Sequence, residues 1–253
     1  MSTNDAIRFL VHRLSGGNPI PPKDIQKLSA LAGPPKRFER GQVLVEQGDH
    51  QAKVWLIAEG WALRQKFLSD GRRQIVSIML PGELSEKGPS MPFGAPDTIA
   101  AASTVTAILF DREALIDLTS RSQTLLFSFF YEELTRHAIT REWVLLHGRR
   151  SASERMAYFL YETAARLRAM GLIQGYDFDC PLTQEDVADL LGLSSVHLNR
   201  TLQSLRRRGL VIWEGTHIKL KHPDSLARLA HFNPEFIRIA EEFAARAEIS
   251  TSS

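Results

Sequence analysis

The chain has 253 residues, 43% hydrophobic and 24% charged, with 31 Lys and Arg against 29 Asp and Glu for a formal net charge of +2. That length suits two packed domains, and the near-neutral balance excludes a global basic field as the means of holding a partner. The single cysteine, Cys180, excludes an internal disulfide framework and a self-contained iron–sulfur cluster; the chain also lacks an apolar run long enough to cross a bilayer and a signal-peptide profile, so a reduced cytoplasmic compartment and no membrane partner are expected.

From 36 to 110, turn signals recur at Gly41, Gly48-Asp49, Glu59-Gly60, Asp70-Gly71 and Pro81-Gly82, at intervals of roughly ten residues. The segments between them, Val54 to Ala58, Trp61 to Phe67 and Gln74 to Met79, are short, apolar and β-prone. Successive antiparallel strands follow, closing into a barrel or sandwich.

From Asp111 no Gly or Pro occurs until Gly148, and Phe127, Tyr131, Leu134, Ala138, Arg141 and Leu145 recur at alternating spacings of four and three. This predicts one long helix whose seam-bearing part is 119–148. The seam, with Phe127, Tyr131, Leu134, Ala138 and Leu145 as its apolar members, packs the helix on its own domain or joins two copies of the chain. Phe129, Phe130 and Trp143 add apolar surface on further faces and favour the dimer; Arg141 interrupts the pattern.

A second helix runs from Ala152 to about Met170, with Met156, Phe159, Leu160, Ala164 and Leu167 on one face and Gly171 as its stop. Asp177 to Asp179 read as a short strand. Thr183, followed by Gln184-Glu185-Asp186, has the form of a helix cap with acids in the first turn. That helix runs through Leu191, Gly192 makes the turn, and Ser194 caps a further helix from Ser195 to about Arg208. Leu198, Leu202 and Leu205 face inward at i, i+4 and i+7, leaving Ser195, Val196, Asn199, Arg200, Gln203, Arg206 and Arg207 on an outer face without an acid. Such a face suits the DNA major groove, where Arg reads guanine, Asn reads adenine and an aliphatic side chain meets a thymine methyl. Helix N-termini and hydroxyls hold phosphates. The candidate DNA-binding residues are Thr183, Gln184, Ser194, Ser195, Val196, His197, Asn199, Arg200, Gln203 and Arg207. Leu210 to Trp213, Glu214-Gly215 and Thr216 to Leu220 read as strand, turn and strand, a wing in which Lys219 adds a cation. Lys and Arg outnumber Asp and Glu by 11 to 8 over 149–222, the extent of the winged helix-turn-helix and its leading helix. The DNA-binding domain is assigned to 149–232. Over 233–253, Phe236, Ile239, Ala240 and Phe243 predict an extra helix ending in a disordered Ser250-Thr251-Ser252-Ser253 tail.

These motifs, in this order, resemble the Crp/Fnr family of bacterial regulators over nearly the whole chain. Gly41-Gln42-Val43-Leu44, Glu46-Gln47-Gly48-Asp49, Val54-Trp55-Leu56-Ile57, Glu59-Gly60 and Leu80-Pro81-Gly82-Glu83 are similar to its cyclic-nucleotide-binding-type β-roll. Leu182 to Ala188, Gly192-Leu193-Ser194 and Asn199-Arg200-Thr201-Leu202 are similar to its helix-turn-helix. The resemblance implies an α+β protein: an N-terminal antiparallel β-roll over 1–118, a jelly-roll-like sensor domain, then a long dimerisation helix and a C-terminal winged helix-turn-helix. It also implies a homodimer on a palindromic operator of double-stranded DNA, with RNA polymerase as a partner.

Departures from the family pattern bear on mechanism. In cyclic-AMP binders Gly-Glu is followed some ten residues later by an Arg that holds the cyclic phosphate; here Gly82-Glu83 is present, but no Arg occurs from Leu84 to Val105, and Pro96, Asp97 and Thr98 fill the region. Cyclic AMP is therefore not the expected effector, because a buried phosphate beside Asp97 would lack a guanidinium. Glu83 is a sugar-hydroxyl ligand of another pocket, with Thr98 beside it, or a turn residue. The family's N-terminal cysteine set is absent, which excludes the iron–sulfur route; His12, His50 and His137 leave haem open, with surface or packing roles as the alternative. Cys180 is an oxidation switch or a small buried residue. Val196 stands where family members that read TTGA-like sites have Glu, so the half-site is expected to differ while keeping a guanine opposite Arg200. A winged helix that docks protein is the competing reading. For an enzyme no phosphate loop, metal-spaced cluster or nucleophile motif is present, and neither a catalytic residue, a metal nor a cofactor is expected.

Overall fold

A computed structural model of the chain describes residues 2–16, 19–50, 53–85 and 94–233. They fall into two compact units, one ending at Leu134 and the other starting at Thr135, and each is described by itself.

The first unit opens with two helices. In α1 (Thr3–Leu14) the Ser2 hydroxyl accepts from the Asp5 amide while the Asp5 carboxylate accepts from the Ser2 amide, closing a capping box. Ala6, Leu10 and Leu14 recur every four residues and are buried together with Ile7. In α2 (Pro22–Ala30) the ring of Pro22 occupies the first turn, where the missing N–H costs nothing. Neither helix is expected from the turn signals that mark the strands, although Ser2, Asp5 and the four-residue apolar spacing announce the first.

The roll follows as β1 (Ala32–Phe38), β2 (Val43–Val45), β3 (Lys53–Glu59), β4 (Ala62–Phe67), β5 (Arg73–Met79), β6 (Thr98–Ala101) and β7 (Val105–Asp111), all paired antiparallel. They form two sheets, ordered β1-β7-β3 and β2-β6-β4-β5. The three strands expected between the turn signals are β3, β4 and β5. Gly60, at φ +80°, makes the β3–β4 turn, and a methyl there would collide with the Thr104 carbonyl. Phe38, Trp55, Ile57, Met79, Ile99 and Val105 are among the side chains filling the interior between the sheets. A second apolar cluster lies outside the β1-β7-β3 sheet, where α1 and α2 meet the helices after β7 through Leu10, Leu28, Phe110, Leu118, Leu125 and Phe129.

The single helix expected from Asp111 is in fact two, α3 (Arg112–Ser120) and α4 (Gln123–Arg149). Ser122 makes the break: its hydroxyl donates to Asp24 Oδ2 at 2.7 Å and accepts from the Leu125 amide at 3.2 Å, a local bond that competes with helix continuation. Phe129 and Trp143, taken from the sequence as extra exposed surface, are both buried, because each unit folds its core against α4.

The second unit continues with α5 (Ala152–Ala169), β8 (Asp177–Asp179), α6 (Gln184–Leu191), α7 (Ser195–Arg207), β9 (Val211–Glu214), β10 (His217–Leu220) and α8 (Pro223–Leu229). Its sheet order is β8-β10-β9, and the β9–β10 hairpin is the expected wing. Met156, Phe159, Leu160, Ala164 and Leu167 of α5 are buried as anticipated. The helix expected over 236–243 lies outside the described residues. None of the described helices is long and apolar enough to cross a membrane.

Candidate nucleic-acid interface

The recognition element is built by two caps and a glycine. Thr183 caps α6 in a reciprocal box with Asp186, its hydroxyl donating to Asp186 Oδ2 at 2.8 Å and accepting from the Asp186 amide at 3.1 Å. Gly192 ends α6 at φ 62°, ψ 41°, the left-handed conformation that only glycine adopts without strain. Ser194 then caps α7, its hydroxyl accepting from the His197 amide at 3.3 Å. Leu198, Leu202 and Leu205 are buried, which fixes the rotation of α7 about its axis. Each such leucine contributes about 1.5–3 kcal/mol through burial.

The outer face is therefore the one the periodicity requires. Ser194, Ser195, Val196, His197, Asn199, Arg200, Gln203 and Arg207 are all exposed, Val196 at 70%. Asn199 Nδ2 donates to Gln184 Oε1 at 2.9 Å, joining the start of α6 to the recognition helix and orienting two candidate contacts together. Among the described residues, Arg200 and Arg207 make no ion pair and no hydrogen bond through their guanidinium groups. Arg206, grouped with the outer face from the sequence, is half-buried and donates to the Trp213 carbonyl, so it pins the wing to α7. Lys219 on the wing pairs with Asp177 at 2.7 Å. Cys180, immediately before this element, is buried, and burial pushes its thiol up to about 12, far from the thiolate needed for reactivity.

The roll handles its polar residues differently. Glu83 is buried with its Oε1 3.3 Å from Arg13 Nη1, and Arg13 Nε donates to Glu132 Oε1 on α4 at 2.6 Å. Thr98 is buried, and its hydroxyl accepts from the Gln47 amide at 3.2 Å. Asp97 has a guanidinium nearby after all: Arg64 reaches it from β4, with Nη1 4.0 Å from Oδ2, while Lys66 Nζ lies 3.2 Å from Oδ1. Arg64 also donates to the Leu84 and Ser85 carbonyls. The expectation that this region lacks a guanidinium thus fails in space, because Arg64 belongs to β4, which precedes Glu83 in sequence and reaches Asp97 across the sheet. Arg13 and Arg64 escaped the sequence reading because nothing local marks a cation that pairs across the fold.

On α4, Phe127 and Leu134 are exposed, as are Leu126 and Phe130, the last at 60%; Tyr131 is half-buried. Within the second unit Leu145 and Val144 are exposed, and Ala138 is half-buried. His12, His50 and His137 are exposed, and among the described residues no His, Cys, Asp or Glu cluster has metal-binding spacing.

An antiparallel roll, a long helix and a winged helix-turn-helix whose recognition face is acid-free define a DNA-binding transcription regulator. Residues 154–229 match the Crp-like helix-turn-helix domain and 35–122 the cyclic nucleotide-binding domain. The chain is 30% identical over 183 residues to the transcriptional activator protein FnrL of Cereibacter sphaeroides, covering 71% of this chain and 73% of that protein. It is also 30% identical over 197 residues to the nitrogen fixation regulation protein FixK of Rhizobium meliloti, covering 77% and 86%. The solved structure of FixK2 from Bradyrhizobium japonicum superposes with a TM-score of 0.70 at 25% identity, covering 78% of this chain and 96% of that one. The chain belongs to the Crp/Fnr family of transcription regulators.

Proposed function

We propose that two copies of this chain join along the exposed face of α4 and present paired α7 helices to successive major grooves of a palindromic operator. The observation that carries the reading is the outer face of α7, where Asn199 is oriented by Gln184 and Arg200 projects without an ion pair. Arg200 is assigned to a guanine, Asn199 to an adenine and Val196 to a thymine methyl, while Thr183, Gln184, Ser194, Ser195, His197, Gln203 and Arg207 hold the phosphate backbone or flanking edges. Phe127, Phe130 and Leu134 supply the apolar contact between copies, since an exposed stripe of this kind is a common mark of association. The protein acts in the cytoplasm, beside its DNA, and regulates through contact with RNA polymerase, in keeping with relatives named as activators. It has no catalytic role.

Regulation proceeds without cyclic AMP. Glu83 is paired with Arg13, and Arg64 is bonded to the Leu84 and Ser85 carbonyls beside Asp97, so these polar groups are already bonded within the protein. The test is recovery of protein-bound genomic DNA followed by gel-shift titration with and without cyclic AMP, and sedimentation of wild type and Leu134→Asp. A palindromic motif other than a plain TTGAT repeat, bound equally in both conditions by a dimer that Leu134→Asp dissociates, is expected. Binding only with cyclic AMP, or a wild-type monomer on DNA, overturns the corresponding part.

A further inference from the structure

Arg155, in the first turns of α5, makes no part of the DNA-facing surface and no carboxylate pair among the described residues, yet each of its three guanidinium nitrogens donates a hydrogen bond. Nη2 donates to the His147 carbonyl at 2.9 Å, Nε to the Arg150 carbonyl at 3.0 Å and Nη1 to the Leu191 carbonyl at 3.0 Å. Two of the acceptors are neighbours in sequence and the third is remote. His147 lies in the last turn of α4, Arg150 forms the elbow between α4 and α5, and Leu191 is the last residue of α6.

Carbonyls at helix C-termini have no partner within their helix and carry the negative end of the helix dipole, so a cation with several donors is the group that satisfies them. Only Arg spreads its donors over three nitrogens in one rigid plane, so three bonds in different directions fix the relative placement of the groups accepting them. Leu191 directly precedes Gly192, whose left-handed turn launches α7. A Cβ placed on Gly192 would lie 3.6 Å from Arg155 Nη1 and 3.5 Å from His147 Nδ1, so the turn itself rests against the end of α4. The elbow has its own brace in Arg150, bonded to Glu142 at 2.8 Å. Arg155 is thus the link that carries the position of that braced elbow to the recognition turn.

We propose that Arg155 is a positioning residue: it sets the orientation of α7 relative to the C-terminal end of α4, and through that the spacing between operator half-sites that the protein accepts. The spacing part rests on the paired-half-site reading above, because half-site separation is a geometric readout of how a dimer holds its two recognition helices. The orientation part does not.

Two measurements separate them. Spin labels at Thr140→Cys on α4 and Gln203→Cys on α7, in a chain with Cys180→Ala and diluted with unlabelled protein, report the distance within one protomer without DNA. Gel shifts on operators with one base pair added or removed between half-sites report the spacing preference. Wild type is expected to give one narrow distance and a clear preference. Arg155→Gln broadens the distance distribution, weakens binding to the best operator by about tenfold, the scale of one charge-assisted hydrogen bond, and flattens the preference. Arg155→Lys, which keeps the charge but gathers its donors on one nitrogen, falls between them and serves if the Gln variant does not fold. A wild-type distance distribution in folded Arg155→Gln or Arg155→Lys overturns the proposal whatever the DNA shows. Wild type indifferent to spacing overturns the paired-half-site reading, and the distance measurement then decides the role of Arg155 alone.

Discussion

The roll and the recognition helix handle charge in opposite ways. Inside the first unit, Arg13 lies between Glu83 and Glu132, and Arg64 lies among carbonyls beside Asp97; each charge is removed from water and paired within the fold. On α7 the cations Arg200 and Arg207 are held in water by a helix whose inner leucines leave them nowhere else to go. A buried pair contributes little net stability when intact but is costly to break, because the survivor is left desolvated. An exposed cation contributes nothing to the fold and keeps its whole interaction for a partner. Charges that hold structure are thus separated from charges left in water, and the two kinds should respond differently to substitution.

The largest effect is expected in the roll. Arg13→Met leaves Glu83 and Glu132 buried without their shared cation and should lower the stability of the first unit by about 3–5 kcal/mol. Calorimetric unfolding measures it, and a loss below about 1 kcal/mol would place the bridge with ordinary surface pairs. On the recognition helix the fold should hardly notice. Arg200→Ala should cost about 1–3 kcal/mol on the preferred operator and relax selection at one base, whereas Arg207→Ala should weaken specific and random DNA alike and lower the salt slope by about one. Equal losses on both DNAs for Arg200→Ala would move it from reading bases to holding phosphate.

Gly192→Ala sits between the two regimes. The nearest atoms to the added methyl are at 3.5 and 3.6 Å, ordinary contact distances, so only the left-handed backbone objects, at about 1–2 kcal/mol seen in thermal unfolding of the second unit. The smallest effect is a pH dependence. Burial first, and the Arg155 charge second, hold the His147 imidazole below its ordinary 6.5. The unfolded chain therefore takes up a proton more readily than the folded one. Stability of the second unit is full above pH 6.5 and is lost as pH falls through the lower folded-state value. His147→Gln should flatten that acid-side slope; an unchanged slope would assign it to other groups.

Along the chain, the recognition element was legible almost to the residue. Its signals are local: a cap at Thr183, a glycine at 192, a cap at Ser194 and leucines at helical spacing, each sufficient to fix a turn or a face within a few residues. The strands of the roll, the wing and the existence of a long helix followed from the same short-range rules. Tertiary structure alone decided the rest. Ser122 breaks the helix because Asp24 waits for its hydroxyl, and Phe129 and Trp143 turn inward because α4 passes through both cores. Arg13 meets Glu132 across 119 positions, Arg64 supplies the guanidinium that the segment after Glu83 lacks, and Arg155 ties the end of α4 to Leu191, 36 positions further on. Periodicity and caps report which way a side chain points from its own helix or strand. Which partner it meets there is set by how separate elements pack, and that information is spread over the whole chain.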